Sequence, residues 1–206
     1  ITLRADDMID IKVVTSENTS KCDNNYIHRI LAETNYLGGT TSTPPNGVIF
    51  VKDKVWVDGT INGNRVTIAA FETPFTGNST DIIINNDLKY TNYDGSDAIG
   101  LVAQRDILVG LYSEDDLRID GGLIAKEGKI ARLDYGSTGG SCNATYRYRN
   151  NLTFYGSLAS RETPFFKHAT SGYTNRYYNY DNNLTFAPPP HFPTTGEYTF
   201  ISWHEE

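Results

Sequence analysis

Four carboxylates crowd one short stretch of the chain: Glu114, Asp115, Asp116 and Asp120, just before and within LRIDGGL (117–123). Two carboxyl groups held about 5–10 Å apart on neighbouring strands can serve as acid and base on a glycosidic bond. The matching positions of neighbouring repeat segments, described below, are Lys54, Asp81 and Asn151. No acidic ladder therefore continues onto adjacent strands, and these acids are expected to solvate a corner. The loop YDGSDA (93–98) sets Asp94, Ser96 and Asp97 around Gly95. Calcium takes about six to eight oxygens, so two carboxylates and a hydroxyl read as a polar turn. His28, His168, His191 and His204 show no HxH or HExxH spacing, and no GxSxG, P-loop or GxGxxG occurs. The expectation is no catalytic residue, no metal and no cofactor.

Binding chemistry is better represented. The run SGYTNRYYNYDNN (171–183) holds Tyr173, Tyr177, Tyr178 and Tyr180. Tyrosine combines a large rigid ring with a hydrogen-bonding tip, which suits carbohydrate or protein partners. These four are the candidate ligand-binding residues; the competing role is packing the C-terminal part onto the rest. The two cysteines, Cys22 and Cys142, stand 120 positions apart, which fits neither a zinc site nor a CxxC motif. They are expected to form one long-range disulfide in an oxidising compartment.

Eighteen Lys and Arg against 25 Asp and Glu give a net charge of −7, which argues against nucleic acid or an anionic membrane as the main partner. At 38 % apolar residues, with 14 Tyr, 18 Gly and one Met, the composition favours strands and turns. No apolar run approaches the roughly 18 residues of a membrane span. The chain opens mid-pattern at ITLRADDMIDIK and reads as an excised or processed ectodomain.

The elements that would position these residues show an irregular repeat. VWVDGTI (55–61), IIINNDL (82–88), LRIDGGL (117–123) and LTFYGSL (152–158) share apolar residues at their first, third and seventh places and Gly or Asn at the fifth. Their starts are offset by 27, 35 and 35 residues. Period-two alternation gives strands with one buried face, and the Gly or Asn supplies a corner. Such a unit buries its face only by stacking on the next. The predicted fold is all-β: a parallel β-helix, or β-solenoid, over 47–160. Before it, 1–46 is expected to form a cap with a short helix over NNYIHRILAET (24–34), from the apolar stripe Ile27, Ile30 and Leu31. After it, 161–206 is expected to wrap the stack as an irregular Tyr- and Pro-rich tail, ending in a docked strand marked by Tyr198, Phe200 and Trp203. An antiparallel sandwich is the competing fold.

Three stretches together carry a family resemblance: NGVIFVKDKVWVDGTINGNRVTIAA (46–70), AIGLVAQRDILVG (98–110) and YDNNLTFAPPPHFPTTGEYTFISWHEE (180–206). They resemble bacterial PilX-type, minor-pilin-like pilus-assembly proteins, in which a hydrophobic N-terminal helix precedes an ectodomain of β-solenoid character. The chain departs from that pattern in having no such helix. The resemblance implies an extracellular, pilus-associated, non-enzymatic module for adhesion or surface display. Its implied partners are other pilin or filament subunits and a carbohydrate or cell-surface ligand, with membrane contact only through a helix outside this stretch. The competing function is a secreted β-helical polysaccharide lyase or hydrolase, which would need convergent carboxylates on adjacent strands.

Overall fold

Short alternating runs broken by Gly, Asn and Asp leave the chain few options other than strands that turn and pair. The computed structural model of the protein describes residues 1–74, 80–136 and 144–193. Among these, the N-terminal part forms β1 (Thr2–Leu3), β2 (Met8–Asn18), β3 (Lys21–Cys22), β4 (Asn25–Tyr26) and β5 (Arg29–Ser42). Next come β6 (Val48–Val51), β7 (Val55–Trp56), β8 (Asp58–Ile61) and β9 (Arg65–Ala70), then β10 (Ile82–Ile83), β11 (Leu88–Tyr90) and β12 (Ala98–Ala103). The remaining strands are β13 (Ile107–Val109), β14 (Asp116–Ala125), β15 (Ile130–Arg132), β16 (Tyr148–Ser160) and β17 (Gly172–Tyr180), followed by a four-residue helix, α1 (Asn183–Phe186). The protein is all-β.

Pairing follows apolar columns. In a parallel four-stranded sheet ordered β15-β13-β10-β7, Val55, Ile82, Ile107 and Ile130 stand side by side. The other large sheet has 11 strands and is mixed. One of its columns runs Leu88, Ile119, Phe154, Tyr178; another runs Ile49, Ile68, Leu101, Leu123, Leu158. The interior residues of the columns in both sheets share one core. Burying each such side chain stabilises the fold by roughly 1.5–3 kcal/mol.

β14 and β16 belong to both columns of the mixed sheet because they bend midway, at Gly121 and Gly156. These glycines are paired and have φ of +143° and +153°. A Cβ on Gly156 would collide with the Gly121 carbonyl oxygen, so only glycine fits the corner.

The structure revises the repeat's phase. VWVDGTI and IIINNDL align only at their starts, Val55 beside Ile82, and slip by two further on, where Gly59 stands beside Leu88. LRIDGGL aligns with LTFYGSL throughout, Leu117 beside Leu152. The two pairs are not equivalent to each other, because Ile82 pairs Ile107 and Leu88 pairs Ile119. Each side of the molecule uses the same alternation, so the pattern marks strands without saying which side they build.

The expected helix over 24–34 is absent. Asp23 and Asn24, at φ of +52° and +66°, make the two-residue turn that joins β3 to β4, and His28, at +50°, ends the segment. From Arg29 the chain is β5, antiparallel to β2. Ile27 is buried, but Leu31 is exposed, so the predicted stripe does not exist as a face. A ladder partner in β2 overrode a weak helical pattern.

The tyrosine run is also not irregular. Residues 172–180 are β17, which extends the parallel ladder past 160. The chain beyond α1 does cross the sheet. Arg65 donates to the carbonyls of Ala187 and Pro188, the latter at 2.7 Å, and Thr67 Oγ1 donates to Pro190 O at 2.5 Å. Phe192 lies over Gly100 and Gly122, where a Cβ would leave it no room. Tyr198, Phe200 and Trp203, the predicted final strand, lie outside the described residues.

Candidate functional site

β17 divides the four tyrosines. Tyr173 is fully buried; its hydroxyl donates to Glu114 O at 2.8 Å and accepts from the Ser113 hydroxyl at 2.9 Å. Burial pushes its phenol up to about 12, and the ring serves the core rather than a ligand. Tyr178 falls in the interior column beside Phe154. Tyr180 pairs its hydroxyl with Thr185 Oγ1 at 2.9 Å. Tyr177 alternates to the opposite face from Tyr178 and lines an outer groove.

That groove measures about 380 Å³ and is lined by Asp116, Leu117, Arg118, Asn151, Thr153 and Tyr177. Parallel register builds it: Arg118 stands beside Thr153, and Thr153 beside Tyr177. Parallel to this row runs Asp116, Asn151, Asn175. Asn151 Nδ2 donates to Asp116 Oδ1 at 2.5 Å, and Asn175 Nδ2 donates to Asn151 Oδ1 at 3.0 Å. Such an amide ladder holds the groove wall rigid.

Arg118 is anchored from behind. Its Nε donates to Asp120 Oδ1 at 2.9 Å, and its guanidinium carbon lies 5.0 Å from the centre of the Tyr93 ring. Asp120, fully buried, also accepts from the Tyr93 hydroxyl at 2.7 Å and the Tyr90 amide at 3.0 Å. Burial, reinforced by its bond to Asp120, raises the Tyr93 phenol and keeps that hydroxyl a donor.

The four acids singled out in the sequence do not converge as a catalytic pair. Asp120 is committed to the Arg118, Tyr93 and Tyr90 network. Asp115 accepts from the Asn150 amide at 3.1 Å and its side chain at 2.5 Å, and Asp116 from Asn151. Burial and then the neighbouring Asp87 carboxylate push Glu114 up. In the 93–98 loop, Asp97 accepts from the amides of Asn64, Thr91 and Asn92, while Asp94 caps Ser96. These carboxylates organise backbone.

Cys22 is buried with its Sγ 3.6 Å from the Tyr135 carbonyl oxygen. Its expected partner, Cys142, lies outside the described residues, as does His204. Among the described residues no three His, Cys, Asp or Glu side chains gather as metal ligands. Sequence reasoning passed over Arg118 and Thr153. The 35-residue offset between LRIDGGL and LTFYGSL places them side by side, so the signal was present. Their union with Tyr177 was not legible, because 172–180 carries no apolar alternation.

No family model matches the chain, and no curated protein matches it. Among solved structures it is similar to the competence-associated pilin ComZ from Thermus thermophilus, at a TM-score of 0.42 and 14 % identity. That match covers 78 % of this chain and 30 % of the other, so the chain spans less than a third of that protein's length.

Proposed function

We propose that the chain is a non-catalytic, extracytoplasmic binding module, built as a parallel β-solenoid and borne on a type IV pilus-like filament or the cell surface for adhesion or display. The solenoid reading is supported by the parallel columns that join segments 23 to 35 residues apart, such as Ile107 with Ile130 and Leu117 with Leu152. The filament assignment rests on the sequence resemblance of 46–70, 98–110 and 180–206 to minor-pilin-like proteins.

The observation that carries the binding reading is the Tyr177 groove. It presents a half-exposed aromatic ring and mixed polar groups on a rigid parallel face, while the nearby carboxylates serve structural partners. A surface of that kind holds a ligand without supplying an acid and a base to cleave it.

The test is incubation with a panel of neutral and uronate-containing polysaccharides, with new reducing ends, unsaturated products and retained protein all measured. Binding without product supports the module. New reducing ends or unsaturated termini overturn it in favour of the β-helical lyase or hydrolase.

A further inference from the structure

We infer that the Tyr177 groove takes a neutral glycan, two or three sugar rings long, laid along the stacking direction and across the strands. This rests on reading the face as a binding surface, and it commits that surface to one ligand class.

The geometry sets the direction. Arg118, Thr153 and Tyr177 occupy successive strands in register. Neighbouring strands lie about 4.7–4.9 Å apart, so the row spans roughly 10 Å. Two linked sugar rings fit that length. A volume of about 380 Å³ lies toward the small end of ligand sites, which run from about 300 to 1,000 Å³.

The chemistry sets the class. Tyr177 offers a rigid ring face, 54 % exposed, for the C–H side of a pyranose. Arg118 uses Nε on Asp120 and shares a further hydrogen bond with the Tyr93 hydroxyl, and of its five N–H groups the others are left for sugar hydroxyls. Asp116 gives Oδ1 to Asn151 and retains acceptor capacity on its other oxygen. Thr153 adds a hydroxyl that both donates and accepts. Donors and acceptors thus alternate within one patch, as a chain of sugar hydroxyls requires.

Charge narrows it further. The positive charge of Arg118 is already matched by Asp120, which leaves Asp116 as the uncompensated charge of the lining. A uronate or phosphate polymer would be repelled there, more so by a chain of net charge −7. An apolar peptide finds no anchor either, since the lining's one aliphatic side chain, Leu117, is buried.

The test is an amide NMR titration of the whole chain with maltotetraose, cellotetraose, mannotetraose, N-acetylated chitotetraose and tetragalacturonate. The expected result is saturable shifts at Arg118, Asn151, Thr153 and Tyr177 with at least one neutral sugar. Affinity should fall by about tenfold or more, some 1.4 kcal/mol, in Tyr177→Ala and be kept in Tyr177→Phe. Shifts with tetragalacturonate alone, no shifts with any sugar, or equal affinity in Tyr177→Ala would each overturn the inference. Cleavage of a bound neutral sugar would leave the glycan assignment standing and instead overturn the non-catalytic reading.

Discussion

Tyr178 stands beside Phe154 in the parallel ladder, one strand further along the same interior column, with ring centroids 6.4 Å apart. It is nonetheless 52 % exposed, since among the described residues no strand follows β17. Its neighbour Tyr177 faces the outer groove. Two adjacent tyrosines with nearly equal exposure therefore do different work, one ending a core column and the other presenting a surface.

Substituting each should separate the two roles. Tyr177→Ala should change stability by no more than about 0.5 kcal/mol, as an exposed site does. Tyr178→Ala loses ring contacts to Phe154 and Phe166 and should cost roughly 1 kcal/mol or more. Urea unfolding of both variants checks this. Equal losses would contradict the assignment of faces.

The Gly121–Gly156 corner predicts a larger effect. Alanine at Gly156 would take an unfavourable φ and drive its Cβ into the Gly121 carbonyl. The expected loss is about 3 kcal/mol, read as a lowered denaturant midpoint at constant m-value. Alanine at Gly63, whose Cβ would meet nothing, is the control and should lose less.

His28 gives the fold a pH dependence. Burial, followed by the Lys54 charge, pulls its imidazole down to about 4, while Glu17 and Asp81 oppose that shift. Its Nδ1 lies 3.6 Å from Glu17 Oε1 and has no hydrogen bond. Between pH 4 and the ordinary value of 6.5 the unfolded chain binds more protons than the folded one. The stability this residue provides is therefore complete above pH 6.5 and lost as pH falls to about 4, by roughly 3 kcal/mol. Unfolding curves across that window should slope accordingly, and His28→Gln should flatten the slope. An unchanged slope would place the titration elsewhere.

The proposed Cys22–Cys142 bridge is also open to direct measurement. Closing a loop of 120 positions should be worth roughly 4–5 kcal/mol through the unfolded chain. Unreduced, denatured protein should resist alkylation, and reduction should lower the unfolding midpoint. Alkylation of both thiols without reductant would remove the bridge.

Much of the fold was legible because alternation survives wherever a strand has one buried face. Leu117, Ile119 and Leu123, with Gly121 between, mark both a strand and its corner. What failed was local or phase-dependent. Ile27, Ile30 and Leu31 imitate a helical stripe, yet the Asp23–Asn24 turn and the β2 partner decide the segment. β17 escaped detection because among the described residues no layer follows it, and Arg176, Tyr177 and Tyr178 show no apolar alternation. Of the site, Tyr177 and the pairing of Asp116 with Asn151 could be read from composition and repeat offset. Arg118's role depended on Asp120 being buried behind it, which no spacing reveals.

The most direct test of the central claim is to shear filaments from source cells and probe the fibres, the stripped cells and the medium with an antibody to this chain. The account predicts signal in the sheared fibres or on the outer surface of intact cells. Signal confined to the cell interior, or free in the medium together with polysaccharide-cleaving activity, would contradict it.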